Sequence, residues 1–365
     1  MAFFKKPFFM SKLSVALVFG GRSTEHEISK LSAQSIIEKI DRSKYDISLI
    51  KIDLDSQWWL LATDDLHDEV NAQRIHIEKE DQQSVCKDAK GNVLLTIDVY
   101  FPILHGIYGE DGTIQGLFRM LDVAFVGCDV LASAACMDKD FTKRLLRDAN
   151  IPIAPYLVAT PTHAPSYQEA KKSLGDTLFL KPANMGSSVG VSKVSDEKTY
   201  QQKLAEGLQL DKKVLIEKEI IGRELECAVL GNEHPKASIP GEIVMNSDFY
   251  DFESKYVDAN ASSTVIPADL PEGVSTQLRE MALSAFQALD CEGLARVDFF
   301  MTEDKELMIN EVNTMPGFTK ISMYPKMWEA SGINYAELID ILIELALERR
   351  DRQQALKIFA KEVSK

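Results

Sequence analysis

Apolar positions recur along the chain with two different periods, and the places where one gives way to the other divide it into three parts. In the first third, short apolar runs alternate with helically spaced segments: "SVALVFGG" (14–21) leads into "HEISKLSAQSIIEKI" (26–40), followed by "YDISLIKID" (45–53), "VYFPILHG" (99–106), the helical "TIQGLFRMLD" (113–122) and "VAFVGCD" (123–129). Strand, helix, strand in this rhythm predicts a small α/β unit with a parallel sheet. In such sheets ligands bind beyond the carboxyl ends of the strands. Two Gly-rich polar loops lie there, "GGRSTEHEIS" (20–29) and "HGIYGEDGTIQG" (105–116), and each opens a helix whose first N–H groups are free to meet an anion.

The texture changes after "MDKDFTKRLLRDANIPIAPY" (137–156), a helix stopped at Asn-Ile-Pro. Short strands then read as antiparallel pairs: "TLFLKPA" (177–183) with "GVSKV" (190–194), and "KVLIEKEI" (213–220) with "ELECAVLG" (224–231), with a helix at "KTYQQKLAEGLQ" (198–209) between them. From Glu226 a third part contains "GEIVM" (241–245), a polar loop over 246–263, the helix "VSTQLREMALSAFQALD" (274–290), the hairpin "LARVDFFMTEDKELMINEVNT" (294–314) and the amphipathic "NYAELIDILIELALERRDR" (334–352). The expectation is α/β followed by α+β, in three domains over 11–137, 138–225 and 226–352.

Composition narrows the function classes. The formal net charge of -15 disfavours a nucleic-acid surface, which needs a basic face to displace counterions. Five cysteines with neither a CxxC pair nor zinc-finger spacing read as buried thiols in a reducing compartment. "MAFFKKPFFMSKLSVALVF" superficially resembles a secretory signal, but its apolar run enters "GGRSTEHE" where a small-residue cleavage site is needed, so it reads as a first buried strand. Met10 would serve as an alternative start, with residues 1–9 a disposable extension. No apolar run approaches the ~20 residues of a membrane helix, and a cytoplasmic protein is expected.

The last hairpin carries the most chemistry. Arg296 and Asp298 share one face of their strand, and Glu311 and Asn313 share one face of the next. A turn centred between Asp304 and Lys305 sets Asp298 opposite Glu311. Two carboxylates and an amide oxygen, with no His or Cys, form a ligand set suited to Mg²⁺. A solvated strand face is the bland alternative, weakened here by like charges placed opposite each other with no lysine in register; where the two anions converge, removing either is expected to relieve repulsion and leave the fold intact. Lys139 opens a helix, Lys181 ends the strand before "MGSSVG" (185–190), and Lys255 lies in the polar loop. That Gly/Ser loop offers backbone N–H groups to phosphate, yet it is no Walker A, and "VFGG" is no GxGxxG.

Five motifs in order, "FGGRSTEHEIS", "HGIYGEDGTIQG", "KPANMGSSVGVSKV", "FYDFESKY" and "ARVDFF…INEVNTMPGFTKISMYP", resemble those of the ATP-grasp enzymes and, within them, the D-alanine–D-alanine ligase family. The resemblance runs from about Leu13 to Arg350. It implies ligation of two D-alanines through a D-alanyl phosphate, with ATP as substrate, two Mg²⁺ or Mn²⁺ ions, a homodimer, and no nucleic-acid or membrane partner. The "MGSSVG" loop would be a flap over the ATP phosphates; Lys139, Lys181, Ser188 and Lys255 would line the nucleotide site, Glu217, Lys218 and Ile220 the adenine edge, and Glu224 the ribose. Asp298, Glu311 and Asn313 match the metal ligands. Glu25 matches the carboxylate that holds the first D-alanine's ammonium, and His105 lies near that substrate's carboxylate. Ser187 and Tyr256 match residues that link to Glu25 and lock two loops over the site. Arg296 and the Gly317 N–H match oxyanion donors, and Ser322 with Lys255 surrounds the second alanine's carboxylate. Met323 stands where many members have leucine, which leaves acceptor choice among D-alanine, D-serine and D-lactate open.

Overall fold

The computed structural model describes residues 12–66, 68, 70–81, 83–245 and 262–356. Its first sheet has eight strands, β1 (Leu13–Gly20), β2 (Tyr45–Ile52), β3 (Trp58–Leu60), β4 (Gln73–Glu80), β5 (Gln83–Lys87), β6 (Val93–Ile97), β7 (Val99–Ile103) and β8 (Ala124–Phe125), in the order β6-β5-β4-β3-β2-β1-β7-β8. β1 runs parallel to β2 and β7, and β7 parallel to β8. The "SVALVF" run is therefore a central strand, buried through its last six residues as a strand covered on both faces must be. Only this half matches the expected parallel sheet. From β2 outward through β6 every pairing is antiparallel. The apolar pattern left that extension unread because its strands are polar: in "QRIHIEKE" of β4 only Ile75 is fully buried.

Helices α1 (His26–Lys39), α2 (Thr113–Leu121), α3 (Val130–Met137) and α4 (Lys139–Asp148) follow. α4 starts where it does because the Asp138 carboxylate accepts from the N–H groups of Asp140 and Phe141. The second sheet, order β11-β10-β12-β9, is built from β9 (Tyr156–Ala159), β10 (Leu178–Pro182), β11 (Ser192–Val194) and β12 (Val214–Lys218), with α5 (Tyr167–Leu174) and α6 (Glu197–Leu210). β10 and β11 pair antiparallel, as expected, with Leu178 opposite Val194.

The third sheet holds β13 (Gly222–Gly231), β14 (Lys236–Ala237), β15 (Gly241–Met245), β16 (Ser262–Val265), β17 (Gly293–Thr302) and β18 (Leu307–Asn313), ordered β16-β15-β13-β17-β18 with β14 on β13. The expected pairing of 213–220 with 224–231 is thus wrong. β12 is flanked on both edges by β10 and β9, so it has no free edge to offer β13, and β13 crosses into the third sheet to pair with β17 over ten residues. A boundary at 225/226 accordingly falls inside β13, and the break between sheets lies at residues 219–221.

α7 (Val274–Ala288), α8 (Met323–Ala330) and α9 (Tyr335–Ala355) complete the described elements. α9 packs back on the first sheet, where Leu338, Ile339, Leu342 and Ile343 join a core with β1 and β7. The buried Arg349 guanidinium donates to the carbonyls of Phe125 and Gly127 and lies 4.2 Å from the Phe125 ring centroid, which covers the backbone beyond β8. All five cysteines are buried and free, as expected. Among the described residues no helix is long and apolar enough to cross a membrane.

Candidate active site

Glu25 stands just ahead of α1, 8 % exposed. Its N–H donates to Ser23 Oγ (3.1 Å), and Ser23 Oγ donates to the His105 carbonyl (2.7 Å), which ties together the loops after β1 and β7. From the second sheet, Ser187 Oγ donates to Glu25 Oε1. Ser187 and Ser188 both hold positive φ, 48° and 59°, at the tip between β10 and β11. Two glycines make the approach: a Cβ on Gly186 would sit 3.1 Å from Glu25 Oε2, and one on Gly106 2.9 Å from it.

His105 is buried with both ring nitrogens engaged by the protein. Nδ1 faces the Met315 carbonyl at 3.1 Å and so must be the donor, while Nε2 lies 3.0 Å from Ser32 Oγ. Glu110 Oε1 is 3.8 Å from Nδ1. Burial pushes the Glu110 carboxyl up; the His105 contact opposes that, and the Glu25 charge adds to it.

On the hairpin, Asp298 pairs with Glu311 and Arg296 with Asn313 as expected, but not through the expected turn. Nearer the tip Phe299 pairs with Ile309, Phe300 with Met308 and Met301 with Leu307, so the turn centres on Asp304, and a bulge at Asn310 shifts the register back. The bulge has a use: Asn310 Oδ1 accepts from Lys181 Nζ at 3.0 Å. Repulsion across the hairpin is also less than the sequence implied. Arg296 grips Asp298 with two bonds of 2.7 Å and lies 3.2 Å from Glu226, and these carboxylates hold its charge against burial. Lys139 Nζ lies 3.8 Å from Glu311 and donates to the Met185 carbonyl at 2.7 Å.

Behind Lys181, Glu217 is 2 % exposed and shared by two ammonium groups, Lys181 at 2.8 Å and Lys143 at 3.2 Å. Burial alone would raise its pKa; the two lysines outweigh it and bring the carboxyl down to about 2. Burial likewise works against Lys181, but Glu217, Glu311 and Glu224 keep its pKa raised. For Lys143 burial dominates and lowers it.

A cleft of about 740 Å³ lies between the sheets. It brings together Glu25, His105, Lys139, Ser187, Arg296 and Glu311, and further along its wall Asn313, Gly317, Ser322 and Met323. A Cβ on Gly317 would lie 2.8 Å from Ser322 Oγ, which itself accepts from the Thr319 N–H, so only glycine fits without a shift. Met323 is buried in the core that includes Phe318 and also lines the cleft. Lys181, Ser188, Glu217, Lys218, Ile220, Glu224 and Asp298 are not on this wall. Lys218 and Ile220 lie at the end of β12 and in the link to β13, and Glu224 is on β13 opposite Phe300. Tyr256 and Lys255 lie outside the described residues. Glu110, Lys143, Asn310 and Ser32 had escaped the sequence reading; only Lys143 had a clear signal, its place four residues after Lys139 on one helix face.

An antiparallel sheet carrying a Gly/Ser loop, facing a second sheet whose hairpin presents carboxylates and an arginine beside lysines, defines an ATP-grasp enzyme. The family models for the D-ala D-ala ligase N-terminus and C-terminus match residues 14–128 and 145–344. The chain is 50 % identical to D-alanine--D-alanine ligase A of Salmonella typhimurium and 48 % identical to that of Escherichia coli, in each case over 95 % of this chain and 99 % of the relative. Among solved structures, the D-alanine-D-alanine ligase from Coxiella burnetii superposes with a TM-score of 0.85 at 40 % identity, covering 94 % of this chain and 96 % of that one. The VanG D-Ala:D-Ser ligase from Enterococcus faecalis reaches 0.81 at 32 % identity, over 92 % of this chain and 100 % of that one. The chain belongs to the D-alanine–D-alanine ligase family.

Proposed function

We propose that this chain joins two D-alanines into D-alanyl-D-alanine at the expense of ATP, releasing ADP and phosphate, as a cytoplasmic homodimer serving peptidoglycan precursor synthesis. The observation that carries the site reading is the bond from Ser187 to Glu25, which brings the Gly/Ser loop of the second sheet onto the carboxylate ahead of α1. Glu25 holds the ammonium of the first D-alanine there, within a buried acidic pocket that also contains Glu110. Lys139 and Lys181, with Ser188, hold phosphate oxygens; Glu217, Lys218, Ile220 and Glu224 line the rest of the nucleotide site.

The donor set fits a hard divalent cation. Asp298 and Glu311 face each other across β17 and β18, and Asn313 spends one lone pair of Oδ1 on the Met315 N–H at 3.0 Å, which leaves the other. The two carboxylates and this amide would together offer three oxygens to one ion. Magnesium or manganese, two ions in this reading, would neutralise charge on the transferring phosphate.

The first D-alanine's carboxylate is a poor acyl donor until one of its oxygens attacks the γ-phosphorus and ADP departs. The amine of the second D-alanine then attacks the acyl carbon, and phosphate leaves with the bridging oxygen. Arg296 and the Gly317 N–H stabilise the intervening oxyanion. Ser322 and Met323 shape the acceptor's place. The loop closed on Glu25 keeps water from the acyl phosphate. Incubation with ATP, Mg²⁺ and a panel of D- and L-amino acids, with phosphate and product mass followed, tests the reading. D-alanine-dependent phosphate release with D-alanyl-D-alanine as main product is expected; release independent of D-alanine, or a D-alanyl-D-serine majority in an equimolar mixture, overturns it.

A further inference from the structure

We propose that Ser32 is a positioning residue for the oxyanion donor, fixing with His105 the Met315–Phe318 segment against α1 where Gly317 lines the cleft. Ser32 is fully buried on α1, seven residues beyond Glu25, the residue that caps the start of that helix. Its Oγ accepts the Phe318 N–H at 3.3 Å and meets His105 Nε2 at 3.0 Å. Because His105 Nδ1 must donate to the Met315 carbonyl at 3.1 Å, the Nδ1–H tautomer leaves Nε2 to accept, with the Ser32 hydroxyl as its donor. The relay thus grips the Met315 C=O on one side and the Phe318 N–H on the other, and the Pro316–Gly317 stretch between them is fixed at both ends.

Other anchors of the segment hold different atoms. The Met315 N–H donates to Asn313 Oδ1 at 3.0 Å, the Leu104 N–H meets Met315 Sδ at 3.0 Å, and the Tyr335 hydroxyl donates to the Phe318 carbonyl at 2.5 Å. None of these holds the Phe318 N–H. One helix therefore carries the first substrate's ammonium grip at its start and the oxyanion donor's support two turns on. A preorganised donor loses most of its effect when it is free to turn, and small misplacements reduce turnover steeply.

The proposal rests on the oxyanion role of Gly317 argued above, and the test separates the two. Steady-state kinetics and the affinity of a tetrahedral phosphinate analogue of D-alanyl-D-alanine are measured for the parent, Ser32→Ala and Ser32→Cys. Ser32→Ala is expected to lose about tenfold or more in kcat and in phosphinate affinity, with KM for ATP within about twofold. Ser32→Cys, which keeps a weak donor of similar size, should fall between, and it decides the matter alone should Ser32→Ala not fold. Parent-like kcat and phosphinate affinity in the variants, or a KM for ATP that moves as far as kcat, overturns the proposal. A parent enzyme that binds the phosphinate no more tightly than the dipeptide itself would instead remove the oxyanion role on which it stands.

Discussion

Glu217 shows how much a single buried carboxylate does here. It lies between Lys143 and Lys181, and the pair of ammonium groups brings its pKa to about 2 from an ordinary 4.5. A carboxyl depressed in the folded state stabilises it fully above the unfolded value, and that contribution fades as pH falls through the folded one. The shift corresponds to about 3 kcal/mol, most of it lost between roughly pH 5 and pH 2 and the rest by about pH 1. Glu217→Gln should therefore unfold more readily at pH 7, by about 3–5 kcal/mol, because two buried lysines lose their partner. It should also lack much of the parent's acid limb; urea unfolding across pH checks both, and parallel pH curves would remove the charge-clamp account. Gly186 makes a second prediction at this scale. With the Cβ of alanine 3.1 Å from Glu25 Oε2, Gly186→Ala should raise KM for D-alanine several-fold while the melting temperature moves little, read by kinetics and thermal unfolding.

At the scale of the element, the hairpin of β17 and β18 was readable in part. Period-two alternation put Arg296 with Asp298 and Glu311 with Asn313 on one face, and the cross-strand pairs are as expected. The bulge at Asn310 was not readable, because register near a turn depends on turn geometry and one inserted residue leaves no mark in the apolar pattern. The compensation of the carboxylate charge was missed for a related reason: Arg296 curls onto Asp298, its neighbour on the same strand face. The expectation that either anion could be removed without cost therefore needs revising. Asp298→Ala should cost about 1.5–3 kcal/mol by taking a two-bond partner from a buried guanidinium. Glu311, 36 % exposed and 3.8 Å from Lys139, should cost under about 1 kcal/mol when changed to alanine. Both variants should lose ligation. Denaturant curves with phosphate release separate the outcomes: equal stabilities would deny the Arg296 clamp, and normal turnover would deny the metal role.

Across the whole molecule, three sheets meet at one cleft, and their existence followed from local periodicity better than their connections did. The crossing of β12 into β13 was missed because three residues, 219–221, separate two strands that look like a hairpin, and only the filled edges of β12 forbid it. The return of α9 and of Phe318 to the N-terminal core joins residues far apart in sequence, a relation that no local pattern carries. A motif was enough to place Glu25 at the cleft, and helical spacing from Lys139 would have found Lys143, whereas Ser32 is marked only by its burial, which no local pattern shows. Ser187, which closes the contact between the first two sheets, yields a prediction at this scale: Ser187→Ala should raise KM for D-alanine and increase ATP hydrolysis uncoupled from dipeptide formation, since water gains access to the acyl phosphate. The central claim, that an oxygen of the first D-alanine's carboxylate passes to phosphorus before the peptide bond forms, is tested most directly by isotope transfer. With D-alanine labelled by oxygen-18 at both carboxylate oxygens, each phosphate released should carry one labelled oxygen and ADP none; unlabelled phosphate accompanying labelled dipeptide would contradict it.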